Sequence, residues 1–129
     1  MHILVAEDNL INQKVVARML EKLAYPADVV SDGTLAVEAT RSTQYDIILM
    51  DVNMPMMGGI EASEVIRSEE SSGHRAHIIA LTGNAMNADR LRCLEAGMDD
   101  YISKPFVLET LREKLRVAAE SLNRAAEKN

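Results

Sequence analysis

The residues with the most chemical potential are polar side chains that follow apolar runs. Ile47-Ile48-Leu49-Met50 leads directly into Asp51, with Pro55 and the pair Gly58-Gly59 just beyond. Glu7 and Asp8 come after a short apolar run ending at Ala6, Thr82 after one ending at Leu81, and Lys104 after Ile102-Ser103. Three carboxylates gathered in one crevice repel, and a hard divalent cation relieves that repulsion. Magnesium suits such a set, because it takes few carboxylates and keeps waters that a phosphate can replace. A carboxylate can attack phosphorus and form an aspartyl-phosphate. An ammonium and a hydroxyl would then neutralise or hydrogen-bond the phosphoryl oxygens. Each residue taken singly has a plainer role. Asp51 could cap a turn, the Glu7-Asp8-Asn9 run could mark a helix start, Thr82 could reflect strand propensity, and Lys104 could be a solvated lysine.

These residues work together only if the chain brings them to one edge. Apolar runs predict strands at 2–6, 27–30, 46–51, 77–81 and 100–103. A run such as 47–50 is that of a strand buried on both faces, as in parallel sheets. Three- and four-residue spacing predicts helices between them. The first covers 10–23, with Leu10, Val15, Val16, Met19, Leu20 and Leu23 as its apolar residues and Asp8 or Asn9 as N-cap. A weaker helix covers 34–42, with Leu35, Ala36 and Ala39 on its apolar side. A third runs from 59 or 60 to about 68, with Ile60, Val65 and Ile66 inward. A fourth covers 88–96, closed by Gly97 as a left-handed cap. A fifth begins near Val107 and carries Leu108, Leu111, Leu115 and Leu122, its last turns (123–129) expected to fray. The polar stretch 69–75 reads as a surface loop whose glutamates form a solvated face. Strict alternation of strand and helix implies a parallel sheet with helices on both faces. In such a sheet all strand carboxyl ends share one edge, and that is where open α/β folds keep their sites.

The 129 residues suit one domain, read as a single unit over 1–129 with a core of about 2–122. Fourteen Lys and Arg against twenty Asp and Glu give a net charge of −6. That removes the electrostatic attraction that usually dominates nucleic-acid binding, so no direct nucleic-acid contact is expected. No apolar run approaches membrane-spanning length, and the first residues do not form a signal peptide. The lone Cys93 forms no internal disulfide. These points predict a cytoplasmic domain without membrane insertion.

The set of motifs closely resembles the receiver domain of two-component response regulators. The resemblance covers residues 3 to about 116. It rests on Glu7-Asp8, Met50-Asp51 with Met54-Pro55 and Gly58-Gly59, Thr82, and Lys104-Pro105. Leu81-Thr82-Gly83-Asn84-Ala85 and Gly97-Met98-Asp99-Asp100-Tyr101 look most like receivers of hybrid histidine kinases. The resemblance implies a flavodoxin-like (βα)5 fold with strand order 2-1-3-4-5. It implies that Asp51 accepts a phosphoryl group from phosphohistidine on a histidine kinase or histidine phosphotransfer domain. Asp8, Asp51 and the Asn53 backbone carbonyl would hold Mg2+, with Glu7 acting partly through water. Thr82 and Lys104 would bind the phosphoryl group, and Tyr101 would be the aromatic switch residue. Asn53 and Asn84 would tune phosphate lifetime. A cis peptide is implied before Pro105. Such a module catalyses its own aspartyl phosphorylation and dephosphorylation and is not a conventional enzyme. It could stand alone or belong to the cytosolic part of a membrane-bound hybrid kinase.

A haloacid-dehalogenase-like phosphatase also uses a strand-end aspartate with magnesium. That family wants a second acid two residues later, where this chain has Asn53, and a cap for which the length leaves no room. A flavodoxin would need a Ser/Thr/Gly-rich phosphate loop, and a docking-only pseudo-receiver would not need the complete acidic site. The methionines at 50, 54, 56 and 57 read as packing residues rather than a soft-metal site. His2, His74 and His77 share no motif and are read as neither phosphodonor nor metal ligands. Cys93 reads as a small packed residue.

Overall fold

The computed structural model describes residues 1–70, 73–83 and 87–127. The elements alternate as β1 (Ile3–Ala6), α1 (Leu10–Lys22), β2 (Ala27–Val30), α2 (Gly33–Ser42), β3 (Ile47–Asp51), α3 (Gly59–Glu69), β4 (His77–Thr82), α4 (Asn87–Glu95), β5 (Asp100–Ser103) and α5 (Leu108–Glu127). The five strands are parallel, in the order β2-β1-β3-β4-β5. Both the alternation and the order agree with the sequence expectations, with element ends moved by a residue or so.

Every residue of β1 and β3 is buried. Strand pleating sends their side chains to opposite faces. On one face Leu4, Ala6, Ile48, Met50, Ile78 and Ala80 pack with Ala36 and Val37 of α2, Ala62 and Ile66 of α3, and Cys93 of α4. On the other, Ile3, Val5, Ile47, Leu49, Ile79 and Leu81 pack with Val16 and Leu20 of α1 and with Leu111, Leu115 and Ala118 of α5. Truncating a fully buried member such as Leu49 to Ala would cost about 2–5 kcal/mol.

Helix ends follow local chemistry. The Asn9 side chain caps α1 by accepting from the Asn12 N–H at 3.0 Å, and Asp32 caps α2 by accepting from Leu35 N–H at 2.9 Å. Gly97, at φ +96°, closes α4. Its N–H donates to the Leu94 carbonyl and that of Met98 to the Cys93 carbonyl, both at 3.0 Å, which is the Schellman pattern.

Three expectations need correction. Leu10 and Val15 do not face the core: Leu10 is 70% exposed, as is its neighbour Ile11 at 72%. The buried stripe of α1 is set by Val16 and Leu20, and six residues of helix turn Leu10 about 120° away from it. Leu35 is likewise exposed, because α2 buries Ala36 and Val37 instead. Of the glutamates expected to form a solvated face, Glu69 is exposed as expected and Glu70 is not. Glu69 takes a two-pronged contact from Arg41, and half-buried Glu70 accepts from Arg67 and from the Ala76 N–H. Arg67 also donates to the Gly97 and Ala76 carbonyls and to Asp99, tying α3 to both strand β4 and the α4–β5 turn.

Candidate functional site

Register brings the acids together. Ala6 pairs with Met50 and Asp51 with Leu81, so Glu7, Asp51 and Thr82 leave the sheet side by side. Lys104 follows β5, and its N–H donates to the Thr82 carbonyl at 2.7 Å. The peptide before Pro105 is cis, as the resemblance implies. Ligand oxygens of Glu7, Asp8 and Asp51 lie within 4.8 Å of one another. Asp8 is exposed, whereas Asp51 is 2% and Glu7 0% exposed.

Two buried carboxylates need compensation. The Lys104 ammonium supplies it, lying 3.0 Å from Asp51 Oδ2 and 3.1 Å from Glu7 Oε1. Burial works to lower the Lys104 pKa, but the hydrogen bond to Asp51 and the ion pair with Glu7 outweigh it, and the pKa is raised above its ordinary 10.5. The other Asp51 oxygen, Oδ1, accepts from the Asn53 N–H at 3.1 Å. Glu7 Oε2 accepts from the Asn9 N–H at 3.2 Å. Glu7 Oε1, although near Lys104, receives no well-aligned hydrogen bond among the described residues. A buried, under-used carboxylate oxygen beside two further carboxylates is what a hard oxygen-seeking cation fits, and magnesium satisfies that chemistry.

The loop after β3 is held by close approaches that only glycine permits. A Cβ on Gly59 would collide with the Asp51 carbonyl, and one on Gly33 with the Met57 carbonyl. Gly33 N–H donates to that Met57 carbonyl and Gly59 N–H to Val52 O, both at 3.0 Å. Between them Met56 adopts φ +68°, with Met57 N–H reaching back to Pro55 O at 2.7 Å in a tight turn. In the sequence, Gly33 and Gly59 look like ordinary turn or helix-start glycines. Their role depends on which carbonyl passes over them, and no local signal carries that.

Thr82 is buried at the end of β4, and Asn53 is exposed at the mouth. Asn84, expected to tune phosphate lifetime, lies outside the described residues. Tyr101 pairs with Ala80 in the sheet, so its side chain shares a face with Thr82, one diagonal step away. Its ring lies between Arg90, 4.5 Å from the centroid, and Lys114, 5.3 Å from it. Lys114 is in turn held by Asp100 at 2.8 Å. The histidines stand apart from the carboxylates: His74 Nε2 contacts the Tyr45 carbonyl at 2.8 Å, and His77 faces Asp99 at 4.0 Å. The methionines at 50, 54 and 57 pack on the core, as expected, while Met56 is 85% exposed. A cavity of about 330 Å³ between α2 and α3 is lined by Thr40, Arg41, Tyr45 and His74 and by none of the site residues. Among the described residues no helix is long and apolar enough to cross a membrane.

The fold, with an acidic triad and a lysine at one sheet edge, defines a phosphoacceptor architecture. The chain belongs to the response regulator receiver domain family, whose profile matches residues 3–116. It is similar to hybrid signal transduction histidine kinase K of Dictyostelium discoideum, 40% identical over 129 residues covering 95% of this chain and 11% of that protein. It is also similar to the hybrid signal transduction protein dokA of the same organism, 47% identical over 114 residues covering 88% of this chain and 7% of that protein. The chain thus spans about a tenth of the length of these relatives. Among solved structures, the receiver domain of a Pseudomonas aeruginosa sensor histidine kinase matches with TM-score 0.82 and 45% identity, covering 89% of this chain and 93% of that one. That structure holds a magnesium ion in its active-site cleft. The receiver domain of a Saccharomyces cerevisiae response regulator, solved with a histidine phosphotransfer protein, matches with TM-score 0.81 and 31% identity, covering 88% and 85%.

Proposed function

We propose that residues 1–129, with a core of about 2–122, form one phosphoacceptor unit of a phosphorelay, and that Asp51 is the residue modified. The observation that carries this is the meeting of Glu7, Asp8 and Asp51 around one point with Lys104 3.0 Å from Asp51. The donor is phosphohistidine on a histidine kinase or a histidine phosphotransfer domain. An Asp51 carboxylate oxygen forms a bond to phosphorus as the phosphorus–nitrogen bond of the donor breaks, and the imidazole leaves with the electron pair. The Lys104 ammonium, already beside Asp51 Oδ2, moves onto a phosphoryl oxygen with little displacement. The Thr82 hydroxyl donates to another. Magnesium, held by Asp8, Asp51 and the Asn53 carbonyl with Glu7 partly through water, would supply positive charge to the phosphoryl oxygens. Asn53 and Asn84, by position, govern access of the water that later removes the phosphate. The Asn at 53 and the family membership leave the phosphatase alternative without support. A net charge of −6 favours protein partners over direct nucleic-acid contact, and a cytoplasmic setting fits the lone buried thiol.

The test is incubation with acetyl phosphate and magnesium, read by intact mass and peptide mapping. One phosphoryl group on Asp51 is expected, lost on chelation of the metal or in Asp51→Asn. Phosphate on another side chain, or normal labelling of Asp51→Asn, would overturn the assignment.

A further inference from the structure

The Asp8 carboxylate is exposed, and no hydrogen bond or ion pair to it is seen among the described residues. Its aim is therefore set by the backbone that carries it. That backbone lies beyond the end of β1, where the sheet no longer fixes the carbonyls. Glu7 N–H is still held, donating to the Val30 carbonyl at 3.0 Å. The Glu7 carbonyl is held by a side chain instead: Gln13 Nε2 donates to it at 2.6 Å. A carbonyl only accepts, so the Gln13 atom facing it must be the amide nitrogen. Gln13 itself sits in the first turns of α1, where its own N–H donates to the Asn9 carbonyl at 2.9 Å. The peptide between Glu7 and Asp8 is thus clamped from the helix.

We propose that Gln13 is a positioning residue for the cation site: its carboxamide fixes the peptide between Glu7 and Asp8 and so aims the Asp8 carboxylate into the cleft. This rests on reading the cleft as a magnesium site. Gln13 touches neither metal nor phosphate. It acts by fixing the backbone under a carboxylate that no other described residue restrains, so its loss weakens cation binding more than it weakens the fold. Partners one step removed from metal ligands commonly matter about tenfold or more in affinity.

The experiment is a magnesium titration of the full chain followed by amide NMR, with melting temperatures measured in chelator. Gln13→Met keeps length and removes the donor, whereas Gln13→His, studied at pH 8 where imidazole is neutral, restores a neutral donor. The Met variant should bind magnesium about tenfold more weakly than wild type, with part of the loss recovered by His. A Met variant within twofold of wild-type affinity overturns the proposal, whatever its melting temperature. Weakening that follows a fall in melting temperature and is not recovered by His also overturns it, because that is a packing role. If the Met variant does not fold, Gln13→Asn, one methylene too short to reach, is read by the same criteria. Wild type that binds no magnesium refutes the site itself, an outcome distinct from a normal wild type with unaffected variants.

Discussion

At the scale of single residues, the site at rest is an arrangement of charges that do not suit one another equally. Lys104 lies against Asp51 and Glu7, while Asp8 has no cationic partner among the described residues. Removing Asp8's charge relieves repulsion without breaking a pair. Asp8→Asn should therefore raise the melting temperature in chelator by a few degrees, on the order of 1 kcal/mol, and weaken magnesium binding. Removing Lys104 does the opposite. Breaking a buried pair costs about 3–5 kcal/mol; because this ammonium is 26% exposed, Lys104→Met should cost about 2 kcal/mol. The same contact sets a pH window. Its folded pKa is raised, so its contribution is present below the ordinary 10.5 and is lost as pH climbs through the higher folded value. Wild type should lose stability above pH 10.5 more steeply than Lys104→Met. Chemical denaturation across that range checks it, and parallel curves would refute it.

At the scale of elements, His77 opens β4 with its ring partly buried and its buried Nε2 without a hydrogen-bond partner among the described residues. Burial lowers its pKa, against the pull of Asp99 and Asp100. A lowered folded pKa means stability that is full above 6.5 and falls as pH drops below it. His77→Leu should flatten the decline between about pH 6.5 and 5 without cost at neutral pH, as urea midpoints at the two pH values would reveal. An unchanged slope would mean that other groups govern the acid side. What could be read from sequence divides along the same line as these contacts. The strands were legible because a parallel sheet buries whole runs such as Ile47-Ile48-Leu49-Met50, and the acids were legible because they stand where those runs stop. Arg67 joined to Glu70 and Asp99, Gln13 under the Glu7 carbonyl, and Leu10 turned outward were not. Each depends on which distant backbone lies opposite, and helical spacing carries no record of that.

At the scale of the whole molecule, the proposed route from Asp51 to the surface runs through neighbouring strands. Thr82 and Tyr101 share a sheet face, and the Tyr101 ring is held between Arg90 and Lys114. In the proposed switch, a phosphoryl group on Asp51 would draw the Thr82 hydroxyl toward it and open space into which the ring could turn. Cation–π contacts of this exposed type are worth about 0.5–1 kcal/mol each, so they bias the ring without locking it. Beryllofluoride, standing in for the aspartyl-phosphate, should shift amide resonances from Asp51 through Thr82 to Tyr101 and α4, and Thr82→Ala should shrink the distant part. Changes confined to the loop after β3 would mean that output leaves by another face. The population can move only as far as the phosphoryl group distinguishes the two states.

The four charges at the sheet edge have one more consequence. Glu7, Asp8, Asp51 and Lys104 carry formal charges of −1, −1, −1 and +1, a sum of −2. A divalent ion brings that sum to zero. Asp8, the member in open solvent, feels dissolved salt, whose screening length is about 8 Å at physiological ionic strength. Salt that screens this excess of charge should therefore weaken magnesium binding at the cluster, and magnesium titrations at low and at physiological ionic strength should differ accordingly.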